Sequence, residues 1–97
     1  MHVTRLTAAV VLALFTGVVA RAADAPPGAA SCSGCHASST RVETPVPPLN
    51  GRPAADIESQ MVEFKTGKRP GTIMDRIAKG FSEEEIRAIA TWYAAQK

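Results

Sequence analysis

Cys32-Ser33-Gly34-Cys35-His36 is the stretch on which the reading of this chain turns. Two thiols separated by two residues, followed at once by an imidazole, form the pattern of covalent haem attachment. The spacing has a physical basis. On one helical turn both sulfurs reach the two vinyl groups of a single porphyrin, and the next residue aims its imidazole at the iron. Two thioether bonds and one axial ligand then come from five consecutive residues.

Other uses of a Cys-x-x-Cys pair fit less well. A thioredoxin-like dithiol belongs to a βαβ context, and no strand pattern flanks this pair. A disulfide closing so short a loop restrains the unfolded chain very little. A zinc site wants about four ligands, whereas the chain has two cysteines and two histidines, and His2 lies in a leader-like segment.

The chain has 97 residues, enough for one small domain. Arg5 precedes an apolar run from Leu6 to Ala20, and Ala20-Arg21-Ala22 supplies small residues at a cleavage-like site. We read residues 1–22 as a secretory signal and residues 23–97 as the functional domain. The alternative is an uncleaved anchor, but a largely apolar run of 15 residues falls short of the ~20 that span a bilayer. Export agrees with haem attachment, which takes place outside the cytoplasm, and points to the periplasm.

Without the leader, nine basic residues face nine acidic ones. The basic balance of the full chain therefore gives no argument for nucleic acid, and no long single-sign run suggests a membrane surface. About fifteen large apolar side chains follow Ala30, which is marginal for a core of this size. Domains so small usually need a staple, and a buried porphyrin would provide one.

Ala23 to Gly28 is a flexible lead-in, and Ala29 to His36 a short helix carrying the attachment residues. Residues 37–51 form a loop, because Pro45, Pro47 and Pro48 cannot occupy a helix interior. An iron-ligating histidine normally donates its other ring N–H to a fixed acceptor. A proline-rigid segment a dozen residues after His36 suits that task. Pro47 is the candidate carbonyl, and Leu49 the candidate for packing on the porphyrin.

Pro53 to Thr66 is expected to be helical, with Ile57, Met61 and Phe64 on one face, early acids and Gly67 as the C′ residue. Thr72 to Lys79 carries Ile73, Met74 and Ile77. Ser82-Glu83-Glu84-Glu85 is a capping box, with Phe81 and Ile86 placed as a hydrophobic staple. The helix that follows should run to about Gln96 and turn Ile86, Ile89, Ala90 and Tyr93 inward.

Residues 23–97 hold no second histidine, so a sixth iron ligand must come from Met61 or Met74. Met61 sits on an amphipathic face, where packing is the ordinary role. Met74 follows a Pro-Gly turn, where a segment can fold over the iron. A thioether there favours ferrous iron, and two protein ligands leave no open position for substrate. The chemistry is one-electron transfer, with no catalysis by the chain itself. No glycine-rich flavin or nicotinamide fingerprint is present.

The order of these features resembles a class I c-type cytochrome: an all-α fold of three to four short helices around one covalent haem c. The resemblance covers nearly all of residues 30–97. More narrowly, Thr72-Ile73-Met74-Asp75-Arg76-Ile77-Ala78-Lys79-Gly80-Phe81-Ser82, with Phe64-Lys65-Thr66-Gly67, is similar to the monohaem cytochrome subunit of flavocytochrome c sulfide dehydrogenase. That family implies an FAD-containing flavoprotein partner that oxidises sulfide, and a downstream redox protein. The alternative is a freely diffusing periplasmic carrier. Lys65, Lys68, Arg69, Arg76 and Lys79 outnumber Asp75 around Met74. They form either a docking zone for a redox partner or an ordinary solvated surface.

Overall fold

A computed structural model describes residues 24–39, 41 and 43–97. The proposed signal segment, residues 1–22, lies outside the described residues. Four helices follow in order: α1 (Ala29–Cys32), α2 (Ala54–Thr66), α3 (Met74–Ala78) and α4 (Glu83–Ala94). Among the described residues there is no strand, and no helix is long and apolar enough to cross a membrane.

Helix α4 begins where its sequence dictates. The Ser82 hydroxyl accepts from the Glu85 amide at 3.1 Å, and the Glu85 carboxylate accepts from the Ser82 amide at 3.0 Å. The two groups thereby satisfy each other's orphan donors. Ile86, Ile89, Ala90 and Tyr93 are all buried. The helix ends at Ala94, two residues earlier than the pattern suggests. The amides of Gly51 and Gln96 both reach the Tyr93 carbonyl, at 3.0 and 3.1 Å, and so close the last turn.

Helix α2 starts after Pro53, which is at the N-cap with φ −54° and ψ 131°. It ends at Gly67, whose φ of 79° is left-handed and suits a residue without Cβ. α2 packs against both α4 and α3. Ile57 is buried, and Met61 is half-buried against the core, the packing role expected of it. Phe64 turns instead toward the following turn: a Cβ on Gly71 would lie 2.9 Å from its ring.

The first helix is shorter than its pattern predicts, ending at Cys32 rather than His36. Ser33 and Gly34 are poor helix formers, and residues 33–35 continue as a turn. The turn keeps helical bonding at one point, since the amides of Cys35 and His36 both reach the Cys32 carbonyl, at 3.1 and 2.8 Å. The start of α1 rests on Gly28, left-handed at φ 87°. A Cβ there would lie 2.5 Å from the Phe81 ring, so this approach of the lead-in to the residue before the N-cap of α4 requires glycine. The core unites Ala29, Ile57, Ile89, Ala90 and Tyr93, with Cys32, Leu49, Phe81 and Trp92 packed on it.

Candidate haem site

The pentapeptide sits against the core through its first cysteine. Cys32 is half-buried and Cys35 exposed, and the two are not joined to each other. Burial pushes the Cys32 thiol above its ordinary value, against opposing hydrogen bonds from its own backbone, Ser31 and Tyr93. A reactive dithiol wants the opposite, a thiol lowered toward the thiolate. Among the described residues no three His, Cys, Asp or Glu side chains gather as a metal-binding group, so the zinc alternative lacks a donor set there.

Tyr93 reaches across the fold to this turn. Its hydroxyl donates to the Ala29 carbonyl at 2.5 Å and lies 2.8 Å from the Ser33 hydroxyl. The tyrosine has one proton and gives it to Ala29, so Ser33 donates to the tyrosine oxygen. The residue between the two cysteines is thereby held by a side chain that is 2 % exposed. Sequence reasoning placed Tyr93 in the core but missed its polar role. A hydroxyl on an otherwise apolar stripe is the signal, since buried tyrosine hydroxyls usually find a partner.

His36 is half-buried, and its Nδ1 lies 2.6 Å from the Pro47 carbonyl oxygen. A carbonyl can only accept, so Nδ1 donates, and in the neutral ring the lone pair falls on Nε2. That tautomer presents Nε2 as a metal ligand. Leu49 packs on the core cluster. Met74 opens α3 and is half-buried. Beside it, Ile73 is 59 % exposed and Ile77 37 %, large apolar side chains that protein leaves uncovered. Two thiols one turn apart, an imidazole with one nitrogen already engaged, and uncovered apolar surface beside a thioether together suit a porphyrin.

The cations near Met74 divide into two groups. Lys65 donates to the Phe81 carbonyl. Arg69 pairs with Glu63 at 2.9 Å and lies over the Phe64 ring. Lys68, Arg76 and Lys79 are exposed and enter no ion pair among the described residues. The Asp75 carboxylate accepts from the Arg76 amide at 2.9 Å.

No family model matches the chain. Individual proteins do. The chain is 32% identical over 71 residues to cytochrome c-554(548) of Halomonas halodenitrificans, covering 69% of this chain and 86% of that protein. It belongs to the class I c-type cytochromes. The cytochrome is also 38% identical over 63 residues to the cytochrome subunit of sulfide dehydrogenase of Chlorobaculum tepidum, covering 65% of this chain and 57% of that one. With the thiosulfate dehydrogenase electron acceptor of Thiomonas intermedia it shares 35% identity over 94 residues, 95% of this chain and 43% of that protein. It therefore spans about half the length of these two sulfur-linked relatives. The cytochrome is an electron carrier whose cofactor is covalently bound haem c, and Cys32 and Cys35 have the spacing for its two thioether bonds.

Proposed function

We propose that this is a periplasmic monohaem cytochrome that accepts single electrons from a sulfide-oxidising, FAD-containing flavoprotein and passes them to a downstream redox protein. Cys32 and Cys35 hold the haem, and His36 and Met74 are the iron ligands. The observation that carries the ligation is the 2.6 Å contact between His36 Nδ1 and the Pro47 carbonyl. It leaves Nε2 for iron and restrains the ring against rotation. Leu49, in the same loop as Pro47, packs on the core cluster.

When bound, the haem supplies the Fe(III)/Fe(II) couple. The chain's own residues fix how that couple behaves. Pro47 would make the imidazole a better donor by accepting a hydrogen bond from its Nδ1–H, and a thioether ligand would favour the reduced state. Sulfide gives up electrons in pairs, so the flavin must part with them one at a time. That is the task of a single-haem partner.

Support for the flavoprotein partner is the 38% identity with a sulfide dehydrogenase subunit. A freely diffusing carrier is the second reading, favoured by the 86% coverage of cytochrome c-554(548). Lys68, Arg76 and Lys79, uncompensated beside Met74, suit an acidic partner surface in either case.

Two measurements test the proposal. Met74→Ala should abolish the long-wavelength thioether-to-iron band of the ferric protein and lower its potential, while Met61→Leu should keep both. The native protein should co-purify with a flavoprotein, and sulfide should reduce the haem faster in that complex than alone. An isolated cytochrome without a flavin partner at physiological salt would leave the carrier reading in its place.

A further inference from the structure

The segment that carries Met74 is a loop with its two ends sewn together. Lys65, in the last turn of α2, lays its half-buried side chain toward the start of α4 and donates to the Phe81 carbonyl. Residues 66–80 lie between these two anchors, and Met74 is near the middle. The first half of the segment has ties of its own. The Arg69 amide reaches the Glu63 carbonyl at 3.1 Å, the Arg69 side chain pairs with Glu63, and Gly71 abuts Phe64.

The second half is held less well. α3 has five residues, too few to be stable alone. Ala78 is its buried residue, and its protein contacts are with α2. Beyond its packing on α2, α3 is placed by its exit toward α4, where the Phe81 amide reaches the Ala78 carbonyl at 3.2 Å. A lysine suits the contact with the Phe81 carbonyl. Its stem spans from one helix to the next, and its ammonium makes a charge-assisted bond, stronger than a neutral one.

We propose that Lys65 is a positioning residue for Met74: through Phe81 it holds the methionine segment shut against the iron and opposes release of the thioether. The proposal rests on the reading of Met74 as the sixth ligand. Lys65 acts on the segment through the Phe81 carbonyl and not as an iron ligand. Its effect is on the opening of residues 66–80, which exposes little of the core built on α2 and α4.

The experiment uses the haem-loaded ferric protein and its Lys65→Met and Lys65→Arg variants. Methionine keeps the apolar stem and removes the donor, whereas arginine keeps a donor. Free imidazole is titrated to displace the thioether, and each protein is also unfolded in denaturant while the thioether band and the far-ultraviolet signal are followed. In Lys65→Met, apparent affinity for imidazole should rise roughly tenfold, the scale of one lost charge-assisted hydrogen bond. The band should vanish at lower denaturant while the far-ultraviolet midpoint stays near that of the parent. Lys65→Arg should restore most of both losses. Unchanged imidazole affinity, or parallel shifts of the two midpoints, would overturn the proposal. Met74→Ala separates the two ideas. If the band survives there, the ligand assignment falls and the clasp with it. If the band is lost there but Lys65→Met behaves as the parent, the clasp alone falls.

Discussion

The hydroxyl of Tyr93, near the end of the last helix, donates to the carbonyl of Ala29 in the first, 64 residues away. The same oxygen accepts from Ser33, inside the attachment pentapeptide. One buried atom thus ties the start of the fold to its end and both to the haem-bearing turn.

Tyr93→Phe removes that atom and keeps the ring. It should destabilise the protein by roughly 1–3 kcal/mol, since the Ala29 carbonyl and Ser33 hydroxyl each lose a partner near the core. Ser33→Ala should cost less, because the tyrosine keeps its bond to Ala29. Denaturant midpoints of the two variants check the order, and equal losses would mean that Ser33 carries the whole contact.

Gly28 and Gly67 have nearly the same backbone, φ 87° and 79°, but different surroundings. Gly67 has nothing within 4 Å of an added Cβ, whereas Gly28 has the Phe81 ring at 2.5 Å. Gly67→Ala should cost only the left-handed conformation, about 1–2 kcal/mol. Gly28→Ala adds overpacking, about 1–3 kcal/mol more. Thermal unfolding of the pair measures the difference, which isolates the packing of the lead-in on Phe81.

The capping box makes stability depend on acid. Hydrogen bonds from the Ser82 backbone and side chain hold the Glu85 carboxyl below the usual glutamate value, with Lys65 adding a smaller attraction. A group whose folded pKa is depressed contributes stability above its unfolded pKa and loses it as pH falls through the folded one. Glu85→Gln can still accept from the Ser82 amide but cannot titrate. Its stability should therefore fall less steeply than the parent's between about pH 5 and pH 3. Ser82→Ala should lose about 1 kcal/mol at neutral pH. Unfolding curves across that pH range decide both.

The exposed cations beside Met74 predict salt-sensitive partner encounter. Reversing Lys68 and Arg76 to glutamate should slow bimolecular reduction by an acidic partner several-fold in dilute buffer. The effect should fade near 1 M salt, where screening acts within about 3 Å. Reversing Arg69, already paired with Glu63, should alter stability more than encounter. Stopped-flow reduction at two ionic strengths separates these outcomes.

The sequence alone carried everything that depends on neighbours a few residues apart. The thiol and imidazole spacing of Cys32 to His36, the Ser82–Glu85 box, the left-handed Gly67 and the inward stripe of α4 are all contacts within a turn or two, and short-range sterics and hydrogen bonding decide them. Even there the first helix stops at Cys32, because Ser33 and Gly34 are weak helix formers. Tertiary structure decided the pairings between distant parts: Tyr93 with Ala29 and Ser33, and Lys65 with Phe81, whereas the His36 contact with the Pro47 carbonyl was already legible from the proline-rigid loop. It also divided the five cations near Met74 into two engaged and three exposed, a division that composition cannot make. The physical reason is the same throughout. A periodic pattern says which face of an element is apolar, but the partner of a hydroxyl, an imidazole or an ammonium depends on which backbone carbonyl packing brings within hydrogen-bond reach.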